Sequence, residues 1–396
     1  MHKISQKREE TEEKHSIAEQ IRAMPMSKLS KERFSIENVR EIMGELILFN
    51  DGSFSKHFPI RKEDMTKLAV FAYRAESETG SKSNPEGVAL QLLRLPEHGR
   101  NLSFNIKFSD NRGNLYNYID IKGVGLPKNA RLLDASNSRL LFDVDILPET
   151  ETIEKAHPGM WGLSDYESAI KDWEESNELI KKGNVETAVP IAIIKIREIF
   201  LKNGEKKSIE DLKNEGRIPR RITYGDEKYE YTPVVYLRAF KEVMRVSNAE
   251  KEDFEKFAKE HGMSNGEYVD WWIGRIAKNL AKMHNQGKVH KNLIFHNLTL
   301  DGCFVDFDTV KDYNIKNIKM AMWPEHIGPD WIVMNDIEKI LVAVDYLSNT
   351  LGSDSATYRH KKRMLFFENY FENFTNITKD VFEAMCYYLN HPYSEL

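Results

Sequence analysis

Cysteine is nearly absent: the 396-residue chain has two, Cys303 and Cys386, which excludes a disulfide framework and fits a reducing compartment. No apolar run approaches the roughly 20 residues that a membrane-crossing helix requires. There is no basic excess either. Lys and Arg number 57 against 62 Asp and Glu, a net charge of −5, so no global field points to nucleic acid. The opening residues, MHKISQKREETEEKHSIAEQ, are too charged for a signal peptide. The sequons at Asn297, Asn373 and Asn376 therefore carry no expectation of a glycan. Internal repeats and low-complexity tracts are missing as well. A cytoplasmic protein is expected, with neither nucleic acid nor membrane as partner. What remains is a chain with 41% hydrophobic residues, enough for a sizeable core in one two-lobed unit or two domains.

Along the chain, residues 1–45 are charge-dense with weak helical periodicity and are expected to form an N-terminal extension. From 86 to 125, GVALQLLRL, NLSFNIKF and LYNYIDIKG alternate with the turn signals PEHGR and SDNRGN. This predicts an antiparallel meander whose last strand ends at Lys122, just before Gly123-Val124-Gly125. LSDYESAIKDWEESNELIKKGNV predicts a helix with Ser164 as N-cap, a face of Ile170, Trp173, Asn177 and Ile180, and Gly183 at its end. AVPIAIIKIREIF then reads as a buried strand, and the polar stretch NGEKKSIEDLKNEGRIPRRITYGDEKY as a surface insertion. TPVVYLRAFKEVMRVSN begins as a strand. NGEYVDWWIGRIAKNLAKMHNQGKV carries Trp272, Ile273, Ile276, Leu280 and Met283 on one face and predicts a core-facing helix. The tail from 331 to 390 is helical again, with Asp336 expected at a helix start. The fold class expected is α+β: a small antiparallel sheet lobe over residues 46–232, then a mostly helical lobe over 233–396.

The chemistry concentrates in KVHKNLIFHNLTLDGCFVDFD, Lys288 to Asp308. His290, Asn297 seven residues on, and Asp306 after an apolar run follow the order of the protein-kinase catalytic loop and its D-F-G triplet. ATP chemistry needs cations against phosphates and oxygen ligands for Mg²⁺. Asn297 and Asp306 are the candidate metal ligands, and Asp306 is also a candidate catalytic group. Asn292 stands where a kinase keeps its carboxylate base. His296, with a neutral-range pKa by default, is a candidate proton acceptor. Lys122, at a strand end, is the candidate phosphate lysine, with Asp172 or Glu175 on the next helix as its acidic partner.

Five segments in order resemble the selenoprotein O (SelO, YdiU) family, protein-kinase-like proteins that attach AMP to other proteins. YIDIKGVG is similar to its LQLKGAG element, and the hairpin before it to its G-D-G-R stretch. AIKDWEESNELIKKGNVETAVPIAII, VVYLRAFKEVMRVSN and GKVHKNLIFHNLTLDGCFVDFD resemble its later motifs. The resemblance spans about residues 85–310. It implies a phosphate lysine at Lys122 with Asp172 as partner, phosphate-contacting arginines at Arg238 and Arg245, and Mg²⁺ ligands at Asn297 and Asp306. In that family the arginine pair belongs to a pocket that binds ATP inverted, so that AMP is transferred. Two departures stand out: the family's N-T-D-N is here Ile294-Phe295-His296-Asn297, and its G-D-G-R is reduced to His98-Gly99-Arg100-Asn101. Residues 126–162 are also unlike the family's compact basic segment.

Three readings follow. The first is an ATP- and Mg²⁺-dependent transferase moving AMP, or phosphate, to a protein or peptide hydroxyl. The second is a pseudokinase that binds nucleotide or a partner. The third is a small-molecule kinase or ATP-dependent ligase on the same fold. The arginines lie seven apart on a segment that starts as a strand, and alternation along a strand puts such residues on opposite faces. Both reach one pocket only if the chain turns between them, near Lys241 to Val243.

Overall fold

The computed structural model describes residues 35–55, 58–72, 89–94, 101–125, 162–200, 206–224, 227–313 and 331–375. The extension up to residue 34, the segment His98-Gly99-Arg100, the stretch 126–161 and the tail beyond 375 lie outside the described residues, as does Cys386.

Two strands, β1 (Ser35–Glu41) and β2 (Gly44–Phe49), precede a single helical turn, α1 (Asp51–Phe54). β1 falls inside the stretch read as an extension and is part of the sheet. β3 (Val70–Ala72), β4 (Ala89–Arg94), β5 (Asn101–Ser109) and β6 (Leu115–Lys122) follow. The turn between β5 and β6 forms because Asp110 accepts the backbone N–H groups of Arg112 and Asn114, each at 2.9 Å. Gly113 supplies the positive φ of 82° that closes it. β7 (Ser164–Asp165) leads into α2 (Tyr166–Gly183), which is followed by β8 (Val189–Ile196). β9 (Glu198–Phe200), β10 (Lys206–Ser208), α3 (Ile209–Asn214), β11 (Arg221–Tyr224) and β12 (Glu227–Glu230) build an insertion before β13 (Pro233–Phe240). That insertion is not merely a polar surface loop. Ile209, Leu212, Ile218, Ile222 and Tyr231 are buried and join the core beneath the sheet.

The helical half comprises α4 (Lys251–Glu260), α5 (Asn265–Asn285), the short pair β14 (Lys288–Val289) and β15 (Lys311–Asp312), α6 (Trp331–Leu351) and α7 (Ala356–Asn373). A capping box between Ser264 and Glu267 starts α5. Trp272, Ile273, Ile276 and Leu280 then bury one stripe of it against Ile337, Ile340 and Val344 of α6 and Phe366 and Tyr370 of α7. The result is a two-lobed, protein-kinase-like α+β fold.

The main sheet runs β2-β8-β13-β6-β5-β4-β1-β3, antiparallel throughout, with β7 added to β13. Its register sorts residues by face. Leu102, Ile121 and Leu237 stand in line across β5, β6 and β13, as do Phe104, Ile119 and Ala239, and all six enter the core beneath the sheet. The alternate rows are Asn101, Lys122 and Tyr236, then Ser103, Asp120 and Arg238, then Asn105, Tyr118 and Phe240. Tyr118 and Phe240 belong to the core of the helical lobe. One face of the sheet is therefore oil and the other carries the charge, bounded by aromatic packing.

Two expected helix details differ. Asp165 rather than Ser164 caps α2, its carboxylate accepting the Ser168 N–H at 2.8 Å. The buried face of α2 is Ser168, Ala169, Asp172, Ser176 and Leu179, offset from the face expected from its apolar residues. The reason is polar: Asp172 turns inward toward cations. Asp336 is not a helix start, because α6 begins at Trp331. Its carboxylate instead serves the loop after β14.

Candidate functional site

Asp306 is delivered by a short segment pinned on both sides. Val305 donates its N–H to the Asn297 carbonyl at 3.2 Å, and Thr187 Oγ1 donates to the Phe304 carbonyl at 2.7 Å. Asp306 itself adopts a left-handed backbone, φ 62° and ψ 62°, a conformation that costs a residue with a Cβ about 1–2 kcal/mol. The next peptide offsets that cost, since Phe307 N–H donates to Asp172 Oδ1 at 2.8 Å.

Six charged side chains meet here. Asp306 Oδ1 accepts from Lys122 Nζ at 2.9 Å and from Arg238 Nη1 at 2.6 Å. Arg238 Nη1 also reaches Asp172 Oδ2 at 3.4 Å, and its Nη2 reaches Asp120 Oδ2 at 2.8 Å. The side chain of Asp306 is 25% exposed, whereas those of Lys122, Arg238, Asp120 and Asp172 are at most 7% exposed. Of these five side chains, Asp306 is therefore the most open to solvent. Burial alone would raise the Asp306 carboxyl, but Lys122, Arg238 and Arg245 hold it well below the usual carboxylate range.

Arg245 is the exception in this cluster. The strand ends at Phe240 and the chain bends at Lys241, which brings Arg245 back beside the same charges. It forms a bridge with Thr299 and stacks its guanidinium 5.0 Å from the Phe240 ring centre. The residue is 1% exposed, yet its Nε and Nη1 have no hydrogen-bond partner. Burial pulls its pKa down, with Asp306 opposing that and Arg238 adding to it. Buried guanidinium nitrogens without partners are rare in folded proteins, because their lost hydration is not replaced.

The loop after β14 is tied from behind. Asp336, fully buried on α6, accepts the N–H groups of His290 and Lys291 at 2.7 and 2.8 Å. This holds Lys291 in a left-handed conformation at φ 67°. His290 Nε2 lies 2.9 Å from the Val305 carbonyl and donates to it, fastening the loop to the Asp306 segment. His290 is thus a structural histidine. Asn297 Nδ2 donates to the Asn292 carbonyl at 2.7 Å, and its buried Oδ1 has no partner. His296 is the exposed member of the loop. Desolvation of its ring lowers its pKa, as do Arg245, His290 and Lys122, against the pull of Asp306.

Of the expected site residues, Lys122, Asp172, Arg238, Arg245 and Asp306 converge, with His296 near enough to feel their charges, while Asn297 joins them through its backbone, which holds the N–H of Val305 next to Asp306. The expected pairing of Lys122 with Asp172 or Glu175 is replaced. Lys122 pairs with Asp306, Asp172 with Arg238, and Glu175 with Lys288 at 3.0 Å. The physical reason is reach: Arg238 lies level with Asp120 in register, and its long fork spans three carboxylates that one ammonium could not. Arg238 is accordingly occupied by protein carboxylates. Asp120 has no role in the sequence reading and Asp336 only that of a helix start, although a lone aspartate inside YIDIK, between two apolar residues, is a signal for a buried partner.

Among the described residues no group of three or more His, Cys, Asp and Glu side chains could cage a metal. Asn297 and Asp306 nevertheless fit Mg²⁺, which takes one or two hard oxygens from protein and the rest from phosphate and water. The orphaned Asn297 Oδ1 is the observation that supports the fit.

Lys122, Asp306 and the tethered loop after β14 thus meet between the sheet and the helical lobe. No protein-family model and no curated protein matches the chain. Solved structures do match. One is the kinase domain of a Toxoplasma gondii specific rhoptry antigen, at 10% identity, TM-score 0.34, over 82% of this chain and 88% of that one. Another is ROP2 from Toxoplasma gondii, described as a virulence factor with a protein-kinase fold and no enzymatic activity, at 13% identity, TM-score 0.33, over 80% and 77%. A third is the ROP18 kinase domain in complex with AMP-PNP and sucrose, at 12% identity, TM-score 0.35, over 78% and 83%. These likenesses are too loose to give any residue a role. Among the described residues no helix is long and apolar enough to cross a membrane.

Proposed function

We propose that the protein is an ATP- and Mg²⁺-dependent transferase that moves AMP, or phosphate, from ATP to a protein or peptide hydroxyl, in the manner of the SelO-like proteins its motifs resemble. The carrying observation is the buried Arg245 guanidinium with two free nitrogens beside Lys122 and the Asn297–Asp306 pair. Lys122 and Arg245 would contact phosphate oxygens, and Asn297 and Asp306 would hold Mg²⁺. When bound, the metal would neutralise charge on the phosphates. His296, exposed on the loop and biased toward its neutral form, would accept the hydroxyl proton, Asn292 standing in the loop sequence where a kinase keeps its carboxylate. Incubation with ATP labelled at the α- or the γ-phosphate, followed by intact mass analysis of acceptor proteins, tests the reading. Added AMP with release of pyrophosphate supports AMP transfer, added phosphate with ADP supports a kinase, and neither excludes both. Asp306→Ala should abolish the product.

A second reading, a pseudokinase that binds nucleotide or a partner, is favoured by one contact. Asp306 Oδ1 is already shared by Lys122 and Arg238, so a metal must compete with two cations. ATP binding without turnover in the labelling experiment would select it.

A further inference from the structure

We infer that Arg238 is a positioning residue that orients the Asp306 carboxylate and ties it to helix α2, leaving Arg245 alone of the two arginines for phosphate. This rests on the nucleotide reading above and divides the labour within it.

One guanidinium joins three elements. Its Nη2 holds Asp120 of β6, and its Nη1 holds both Asp306 and Asp172 of α2. Asp172 uses its other oxygen for the N–H of Phe307, the peptide directly after Asp306. Helix α2 therefore grips Asp306 twice, once through Arg238 and once through the backbone. Asp120 is fixed in turn by Asn101 Nδ2 at 3.0 Å and Ser103 Oγ at 3.3 Å, so the anchor on the sheet is itself anchored. Tyr236 and Phe240 stand two residues to either side along β13, with ring centres 5.5 and 5.3 Å from the Arg238 guanidinium carbon. Arg238 is 1% exposed, and of its nitrogens only Nε lacks a partner. A phosphate could take its fork only by displacing buried carboxylates, and each carboxylate left unpaired would be costly. Arg245 asks for no such exchange, because its free nitrogens face no carboxylate partner.

The two roles separate in binding. The measurements are isothermal titration of ATP in EDTA and paramagnetic titration of Mn²⁺ at saturating ATP, on the full chain. Arg238→Lys keeps the charge but cannot span three carboxylates. It should leave metal-free ATP affinity within about twofold and weaken Mn²⁺ by about tenfold or more, the usual range for a group that orients a metal ligand. Asp172→Asn should show the same split and, combined with Arg238→Lys, add little to it. Arg245→Ala should do the reverse, losing metal-free ATP. Arg238→Lys losing metal-free ATP as Arg245→Ala does would overturn the assignment. A wild-type protein that binds no ATP in either assay would instead remove the nucleotide reading, and this inference with it.

Discussion

At the scale of single residues, Arg245 sets function against stability. A buried guanidinium with free donors lowers the stability of the ligand-free fold, because its lost hydration is not replaced. Arg245→Met should therefore stabilise the ligand-free protein, by about 1–3 kcal/mol in urea unfolding. The same variant should no longer be stabilised by added ATP. A variant that is less stable than wild type without ligand would mean that the guanidinium has found a partner after all. How much of this was legible differs by residue. Lys122, Asn297 and Asp306 stand at motif spacings, and motif spacing is a local property that survives in a string. Asp120 and the sharing of Arg238 are not local. They depend on the register of β6 against β13, two strands more than a hundred residues apart in sequence, and on the approach of α2.

At the scale of elements, the connection from β13 to the loop at Val246 carries a titratable group. Burial pushes Glu242 up to about 8 from 4.5, Asp301 and Glu260 adding to the rise, while the N–H of Met244, donating at 2.8 Å, opposes it. The sign follows directly. The folded state holds this proton between pH 4.5 and about 8 while the unfolded chain releases it, so the group costs stability as pH rises through that window. Glu242→Gln should raise the melting temperature at pH 8 and leave it nearly unchanged at pH 4.5. An equal shift at both values would assign the effect to packing rather than charge. Helix boundaries illustrate legibility at this scale. Ser264 followed by Glu267 is a cap that a string displays, and α5 starts there. The apolar face expected for α2 does pack, with Ile170, Trp173 and Ile180 half-buried against the core, but its deepest residues include Asp172, drawn inward by partners distant in sequence. Asp336 reads as a cap by residue type, and only the loop packed on α6 shows that it serves two other backbone groups.

At the scale of the whole molecule, apolar clusters pack against both faces of one sheet, and the site lies among its charged rows. Aromatic tips fasten the helical lobe to that site. Trp272 Nε1 donates to the Thr299 carbonyl at 3.1 Å and Tyr268 Oη to the Leu300 carbonyl at 2.8 Å, while Thr299 bridges Arg245. Trp272→Ala should cost about 3–5 kcal/mol, the usual range for an aromatic removed from a core. Trp272→Phe, which fills most of the volume but loses the hydrogen bond, should weaken ATP binding by more than its smaller stability loss explains. Equal ATP affinity in Trp272→Phe and wild type would uncouple the helix from the site. The alternation of the meander and the period of α5 made the two-lobed outline readable. The insertion between β9 and β12 was not readable, since its few apolar residues are spaced by polar ones and find the core only through tertiary packing.

Lys291 carries a different consequence, for design. Its left-handed backbone is imposed by Asp336, which takes its N–H, and not by any demand of its own side chain. Asp306 bears the same conformation for the sake of its carboxylate, so glycine there would trade strain for the loss of the group that matters. At Lys291 glycine would trade strain for nothing the site uses. Lys291→Gly should leave the protein more stable by about 1 kcal/mol, the left-handed penalty less the added freedom of the unfolded chain. The loop's most strained position outside the charged cluster is thus its most permissive one for engineering.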